Sequence, residues 1–64
     1  MDRIADAIAV ARELIATYGP RAAATVDQRV AEHERAGDRD GALFWAKVAR
    51  AVRGLQALPS RPMP

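Results

Sequence analysis

The chain has 64 residues, no cysteine and a formal net charge of +2 at neutral pH. This length allows one small domain, and the lack of cysteine excludes disulfides and thiolate metal sites. Half of the residues are apolar, but many of them are alanine, which favours helix and adds little buried area. The composition therefore predicts closely packed helices around a thin core.

The first predicted element is a helix over residues 2–18. Apolar residues recur there at steps of three and four, the spacing of one helix face: Ile4, Ile8, Ala11, Ile15 and Tyr18. Gly19 is suited to end this helix, and Pro20 is suited to open the next one. Because charged residues interrupt the segment, it predicts neither a signal peptide nor a membrane span.

The second predicted helix covers residues 20–36. Its stripe is expected at Ala23, Val26 or Asp27, Val30 and His33, with Val26 and Val30 as its apolar members. A shorter helix that starts at a capping box on Thr25 is the alternative. The alanine-rich run 21–24 favours helix strongly, so we expect one continuous helix that Gly37 ends.

The third predicted helix covers residues 39–57 and is capped by Asp38 or Asp40. Val48, Val52 and Leu55 form its apolar stripe, which Phe44 and Trp45 flank. Because adjacent aromatic side chains point in different directions, one is expected to pack inward while the other covers a seam or meets a partner.

Taken together, these patterns predict an all-α domain over residues 1–57. It is a small three-helix arrangement in which helices 2 and 3 form an antiparallel hairpin. Residues 58–64 contain three prolines and predict an extended tail outside the domain.

The turn before the third helix resembles part of a calcium-binding loop, because Asp38 and Asp40 precede Gly41. In the twelve-residue EF-hand frame, however, Ala36 and Lys47 stand at the first and last ligand positions, where acidic residues are needed. We therefore interpret the turn as a helix cap, in which Gly41 lets two backbones come close.

No combination of residues predicts catalysis or a cofactor. His33 is the only histidine, and the adjacent acids Glu32 and Glu34 point about 100° away from it on a helix. No nucleophile has an evident base beside it, and no glycine-rich phosphate loop is present. We expect no enzymatic activity, no metal and no cofactor.

The charge is unevenly placed and suggests one alternative function. Residues 41–64 contain four cations and no acid, whereas residues 1–40 contain eight acids and six arginines. Three helices with a basic third helix outline a helix-turn-helix domain, in which Lys47, Arg50 and Arg53 would contact nucleic acid. The two aspartates of the turn would repel phosphate near the recognition helix, so DNA binding is the second hypothesis.

One motif suggests a family. The third predicted helix and the turn before it contain the pattern Ala36-Gly37-Asp38-x-x-Gly41-x-x-x-Trp45, followed by Val48-Ala49-x-Ala51-Val52-x-x-Leu55. With this pattern the chain resembles small uncharacterised alphaproteobacterial proteins classed as a domain of unknown function. The resemblance covers about residues 8–57. It implies a compact helical protein of the bacterial cytoplasm, and it carries no activity, ligand or site.

The first hypothesis for function is a non-enzymatic interaction or regulatory module. A domain this small is commonly stabilised by disulfides, by a metal or by association with another chain. For this sequence, association is the source of stability that remains. We expect helix-to-helix contact in an oligomer or with a larger protein, and no membrane partner. The candidate contact residues are Phe44, Trp45, Val48, Val52 and Leu55. Trp45 is either the core of the domain or an anchor on the partner, and its size in so small a core favours the first.

Overall fold

A computed structural model describes the backbone of residues 3–57 and the side chains of residues 5–57. It contains helix α1 (Arg3–Tyr18), a 3-10 turn (Gly19–Arg21), helix α2 (Ala22–Arg35) and helix α3 (Arg39–Ala57). Within this part of the chain only residues 36–38 are not helical, and the all-α prediction is confirmed for it. The predicted tail 58–64 and the predicted helix start at Asp2 lie outside the described residues.

The corner between α1 and α2 contains no non-helical residue. Gly19 has a φ of +58°, which glycine adopts without steric cost, and Pro20 lies in the 3-10 turn. The first two predicted helices are therefore continuous segments of one bent helical path, and α2 begins at Ala22 instead of Pro20. The capping box on Thr25 is wrong, because Thr25 lies inside α2 and its hydroxyl donates to the Arg21 carbonyl at 3.0 Å.

Helix α3 packs against both α1 and α2, which contact each other much less. Arg53, late in α3, donates to Asp27, early in α2, with 2.7 Å between Nη2 and Oδ2. At the other end the ring of His33, late in α2, lies beside Trp45, early in α3. Gln56 Nε2 donates to the Gly19 carbonyl at 3.0 Å, which holds the end of α3 to the corner.

The core is built from small side chains, as the composition predicts. Its buried residues are all alanine or valine: Ala7, Ala11, Ala22, Val26, Ala42, Val48, Ala49 and Val52. Leucine, isoleucine and aromatic side chains of the described residues lie around this core, half-buried or exposed. Protein interiors ordinarily enclose the larger apolar residues, so the distribution of sizes is inverted.

The inward face of α1 differs from the predicted one. Ile8 and Tyr18 are 38% and 42% exposed, whereas Ala7 and Ala11 are buried. The predicted stripe is therefore wrong at these two positions. The buried face of α1 is rotated from the predicted face by about one residue position. Because Ala7 and Ala11 are small, α1 can approach the neighbouring helix closely. The larger side chains of Ile8 and Tyr18 then lie at the edge of this helix contact.

Candidate protein-interaction surface

The junction between α2 and α3 is held by one aspartate. Gly37 ends α2 with a φ of +75°, and the Asp38 backbone N–H donates to the His33 carbonyl at 2.8 Å. The Gly41 N–H donates to Asp38 Oδ1 at 2.9 Å, so Asp38 is the cap of α3. Between the two predicted caps, the structure therefore selects Asp38 over Asp40.

The second carboxylate oxygen of Asp38 binds His33. Its Oδ2 atom lies 2.8 Å from His33 Nδ1. An ionised carboxylate only accepts hydrogen bonds, so Nδ1 carries the proton that is shared. Asp38, which the sequence predicts as a cap, therefore also fixes the imidazole of the preceding helix. Within residues 5–57, no group of three or more metal-binding side chains comes together.

Gly41 lies directly beneath the pair formed by His33 and Asp38. A Cβ atom at this position would be 2.5 Å from His33 Nδ1, 2.9 Å from Asp38 Cγ and closer still to Asp38 Oδ2. The sequence motif predicts a close approach of two backbones at Gly41. The space is instead taken by this pair of polar side chains, which the motif alone does not reveal.

Trp45 completes the junction. Its ring centroid lies 6.4 Å from that of His33, with the planes 23° apart, and 5.7 Å from that of Phe44, edge to face. Both aromatic residues are half-buried against the core, so neither points fully inward. The spacing from Gly37 through Asp38 and Gly41 to Trp45 therefore describes one cluster around His33.

The Asp38 carboxylate gives the junction a dependence on pH. Hydrogen bonds from the Gly41 amide and then from the His33 ring hold the pKa of the Asp38 carboxyl below its ordinary value of 3.8. Because the folded pKa is the lower one, the stabilisation is complete above about pH 4 and is lost as the pH falls through the folded value.

We expect Asp38→Ala to lower the melting temperature at pH 7, and we expect the difference from the unmodified chain to shrink below pH 3.8. Circular dichroism melts between about pH 7 and pH 2.5 measure both. Asp40→Ala is the matched control, since the side chain of Asp40 makes no hydrogen bond or ion pair within the described residues. A difference that stays constant down to the lowest pH would contradict the assignment.

The five predicted contact residues divide into two groups. Val48 and Val52 are fully buried in the chain's own core, which corrects their assignment as contact residues, because they have no surface to offer a partner. Phe44, Trp45 and Leu55 are half-buried and keep part of their surface accessible. Three of the five therefore remain candidates.

Three exposed apolar residues lie outside the predicted set of contact residues. Leu43 is 62% exposed near the start of α3, and Ile8 and Tyr18 are exposed on α1. Leu43 lies about 140° around α3 from Val48, which is the centre of the predicted stripe. Helical periodicity could therefore have indicated that Leu43 is exposed. Ile8 and Tyr18 belong to the apolar stripe that the spacing of α1 predicts, and a position on that stripe favours burial.

The three cations predicted for nucleic acid differ in their surroundings. Arg53 is bound by Asp27, whereas Lys47 and Arg50 are exposed and have no ion pair among the described residues. Lys47 and Arg50 lie with Ala7, Ile8 and Ala51 around an open cleft of about 400 Å³ between α1 and α3. The structure therefore brings two of the three cations to one cleft and assigns the third to a bond within the chain.

Comparison with known proteins yields no relative that would assign a function. Neither a protein-family model, nor a curated protein, nor a solved structure matches this chain. The resemblance to the alphaproteobacterial proteins stays a prediction. Among the described helices, none is both long enough and apolar enough to cross a lipid bilayer.

Proposed function

We propose that this chain is a non-enzymatic interaction module with three helices, in which α2 and α3 form an antiparallel hairpin. It acts through helix-to-helix contact, either as an oligomer or bound to a larger protein. One observation carries the proposal: the large apolar side chains lie at the surface while alanine and valine fill the core.

The free energies involved favour a partner. Burying a leucine or phenylalanine side chain fully contributes about 1.5–3 kcal/mol, and the half-buried residues leave part of that unrealised. A 64-residue domain has a total stability of roughly 3–10 kcal/mol, taking about 0.05–0.15 kcal/mol per residue. Covering several of these side chains would therefore add a substantial fraction of the domain's stability.

The contact surface that we propose is the exposed part of α3 and its neighbours. Phe44, Trp45 and Leu55 are the accessible members of the predicted set, and Leu43 adds the most exposed large apolar side chain among residues 5–57. Large apolar side chains that stay accessible on one helix of a small protein favour an interaction surface on that helix.

Light scattering or sedimentation of the purified chain tests the proposal. The mass is expected to exceed the monomer value of 6.9 kDa and to rise with concentration. Leu43→Ser should keep the helical content and lower the mass, because Leu43 is 62% exposed and contributes little to the monomer. Ala46→Ser, three residues further along the same exposed helix, is the control that should leave the mass unchanged.

Trp45→Ala separates the two roles considered for this residue. Loss of folding at all concentrations would make Trp45 part of the core, and a folded monomer in place of an oligomer would make it an anchor. An unmodified chain that is a stable monomer and retains no protein on an affinity column would contradict the proposal.

DNA binding through α3 is the second candidate. It is favoured by the exposure of Lys47 and Arg50, and it is weakened because Arg53 is held by Asp27. Retardation of duplex DNA that falls steeply with salt, and that is lost in Lys47→Ala/Arg50→Ala, would favour this function over the first.

A further inference from the structure

Two opposite faces of α1 are apolar and carry opposite charges. One face borders the cleft of about 400 Å³ between α1 and α3, which is lined by Ala7, Ile8, Lys47, Arg50 and Ala51 and which we call the basic cleft. The other is a concavity of about 350 Å³ on α1, lined by Ala9, Val10, Glu13 and Leu14, which we call the acidic face.

The basic cleft combines an apolar floor with cations that lack partners. Ile8 is 38% exposed within it, and Lys47 and Arg50 make no ion pair with any described residue. Arg12 follows Ile8 by four residues, which places it on the same side of α1. Residues 41–57 contain no acidic residue, and Arg50 lines a second groove with Asp27 and Glu34 of α2 without an ion pair to either.

The acidic face has the complementary composition. Val10 and Leu14 are half-buried and leave apolar surface beside the exposed Glu13. Asp6 precedes Glu13 by seven residues, which places both carboxylates within about 20° of one another on the helix. Neither carboxylate has an ion pair inside the part of the chain that the structure describes.

We infer that the acidic face of one copy docks in the basic cleft of a second copy. Both surfaces are apolar, so contact removes Ile8, Val10 and Leu14 from water, and the charges at their rims match in sign. This inference rests on the proposed function, names the partner as this same chain, and adds the two surfaces bordered by α1 to the contact residues of α3 proposed above.

The geometry makes the contact a head-to-tail one. Ile8 and Val10 are two residues apart, which separates them by about 200° around α1. A copy therefore offers its two surfaces in opposite directions, and each contact leaves one acidic face and one basic cleft available. Assemblies are expected to grow beyond a dimer, as rings or open chains.

Two charge-reversed variants test the pairing. Lys47→Glu/Arg50→Glu makes both surfaces acidic, and Asp6→Lys/Glu13→Lys makes both basic. Each variant alone should weaken self-association by on the order of tenfold or more, because like charges then face one another. An equimolar mixture should associate as the unmodified chain does, since each acidic surface again meets a basic one. Light scattering measures the masses, and circular dichroism verifies that each variant is folded.

A control with the same change in net charge as Lys47→Glu/Arg50→Glu makes the result for that variant specific. Arg35→Glu/Arg39→Glu reverses two exposed arginines that line neither surface, and it should associate like the unmodified chain. An unaltered mass in the reversed variants, a mixture that stays dissociated, or an assembly that stops at a dimer would overturn the inference.

The outcomes also separate this inference from the proposed function. If the unmodified chain associates and both reversed variants still do so, the pairing is wrong while the interaction module stands. If the unmodified chain is monomeric, the pairing is wrong and the module depends on a larger partner. Binding of duplex DNA that Lys47→Glu/Arg50→Glu abolishes, without a restored mixture, would assign the basic cleft to nucleic acid and overturn the pairing.

Discussion

Truncation of Val52 to alanine is expected to lower the free energy of unfolding by about 2–3 kcal/mol. Val52 is fully buried and is among the three largest side chains enclosed by the core. Removing two carbon groups loses about 0.8 kcal/mol each in transfer free energy, and the cavity left behind adds a further cost. In a domain with a total of roughly 3–10 kcal/mol, this is a large fraction.

Urea denaturation followed by circular dichroism measures the effect of Val52→Ala. Val30→Ala is the matched control, because the same chemical change is made at a half-buried position on α2. We expect Val30→Ala to cost less than about 1 kcal/mol, since part of the valine is already in water. Equal costs at the two positions would contradict a core centred on Val52.

Alanine substitutions at two glycines of α3 are expected to have opposite effects. At Gly41 the new methyl group collides with the pair formed by His33 and Asp38, so we expect a loss of about 1–2 kcal/mol. At Gly54 nothing lies within 4 Å of the new Cβ, and the helix interior gains about 0.5–1 kcal/mol from the lower flexibility of the unfolded chain.

Because both changes are glycine to alanine on one helix, each serves as the control for the other. Thermal and urea unfolding give the two signs, and double substitution of Gly41 and His33 to alanine tests the cause. Removing the imidazole takes away one contact and frees Asp38 Oδ2 to turn aside, so it should recover part of the loss at Gly41. Stabilisation by Gly41→Ala alone would show that the pair can move aside without cost.

The helical class and the helix ends could be predicted because they depend on local signals. Gly19 and Gly37 both have positive φ values, and Asp38 caps α3, as the residue types indicate. The inward face of α1 could not be predicted in the same way. Two apolar stripes overlap on this helix, one through Ile8 and one through Ala7 and Ala11, and periodicity does not decide between them.

Less of the candidate surface could be predicted, because it depends on how the helices cross. The bond between Arg53 and Asp27 joins residues 26 positions apart, and it removes one cation from the predicted nucleic-acid set. The position of His33 above Gly41 likewise depends on the angle between α2 and α3. For the same reason, the opposite charges on the two faces of α1 become apparent only once α3 is in place.

The short connections between the helices also bear on how fast the domain forms. Residues 19–21 join α1 to α2 and residues 36–38 join α2 to α3, so much of the packing links segments that are close along the chain. Helical domains of this kind fold within microseconds to milliseconds. A molecule that folds so quickly reaches its final shape before it encounters another one. Dilution is therefore expected to slow assembly while leaving the folding rate of the single chain unchanged.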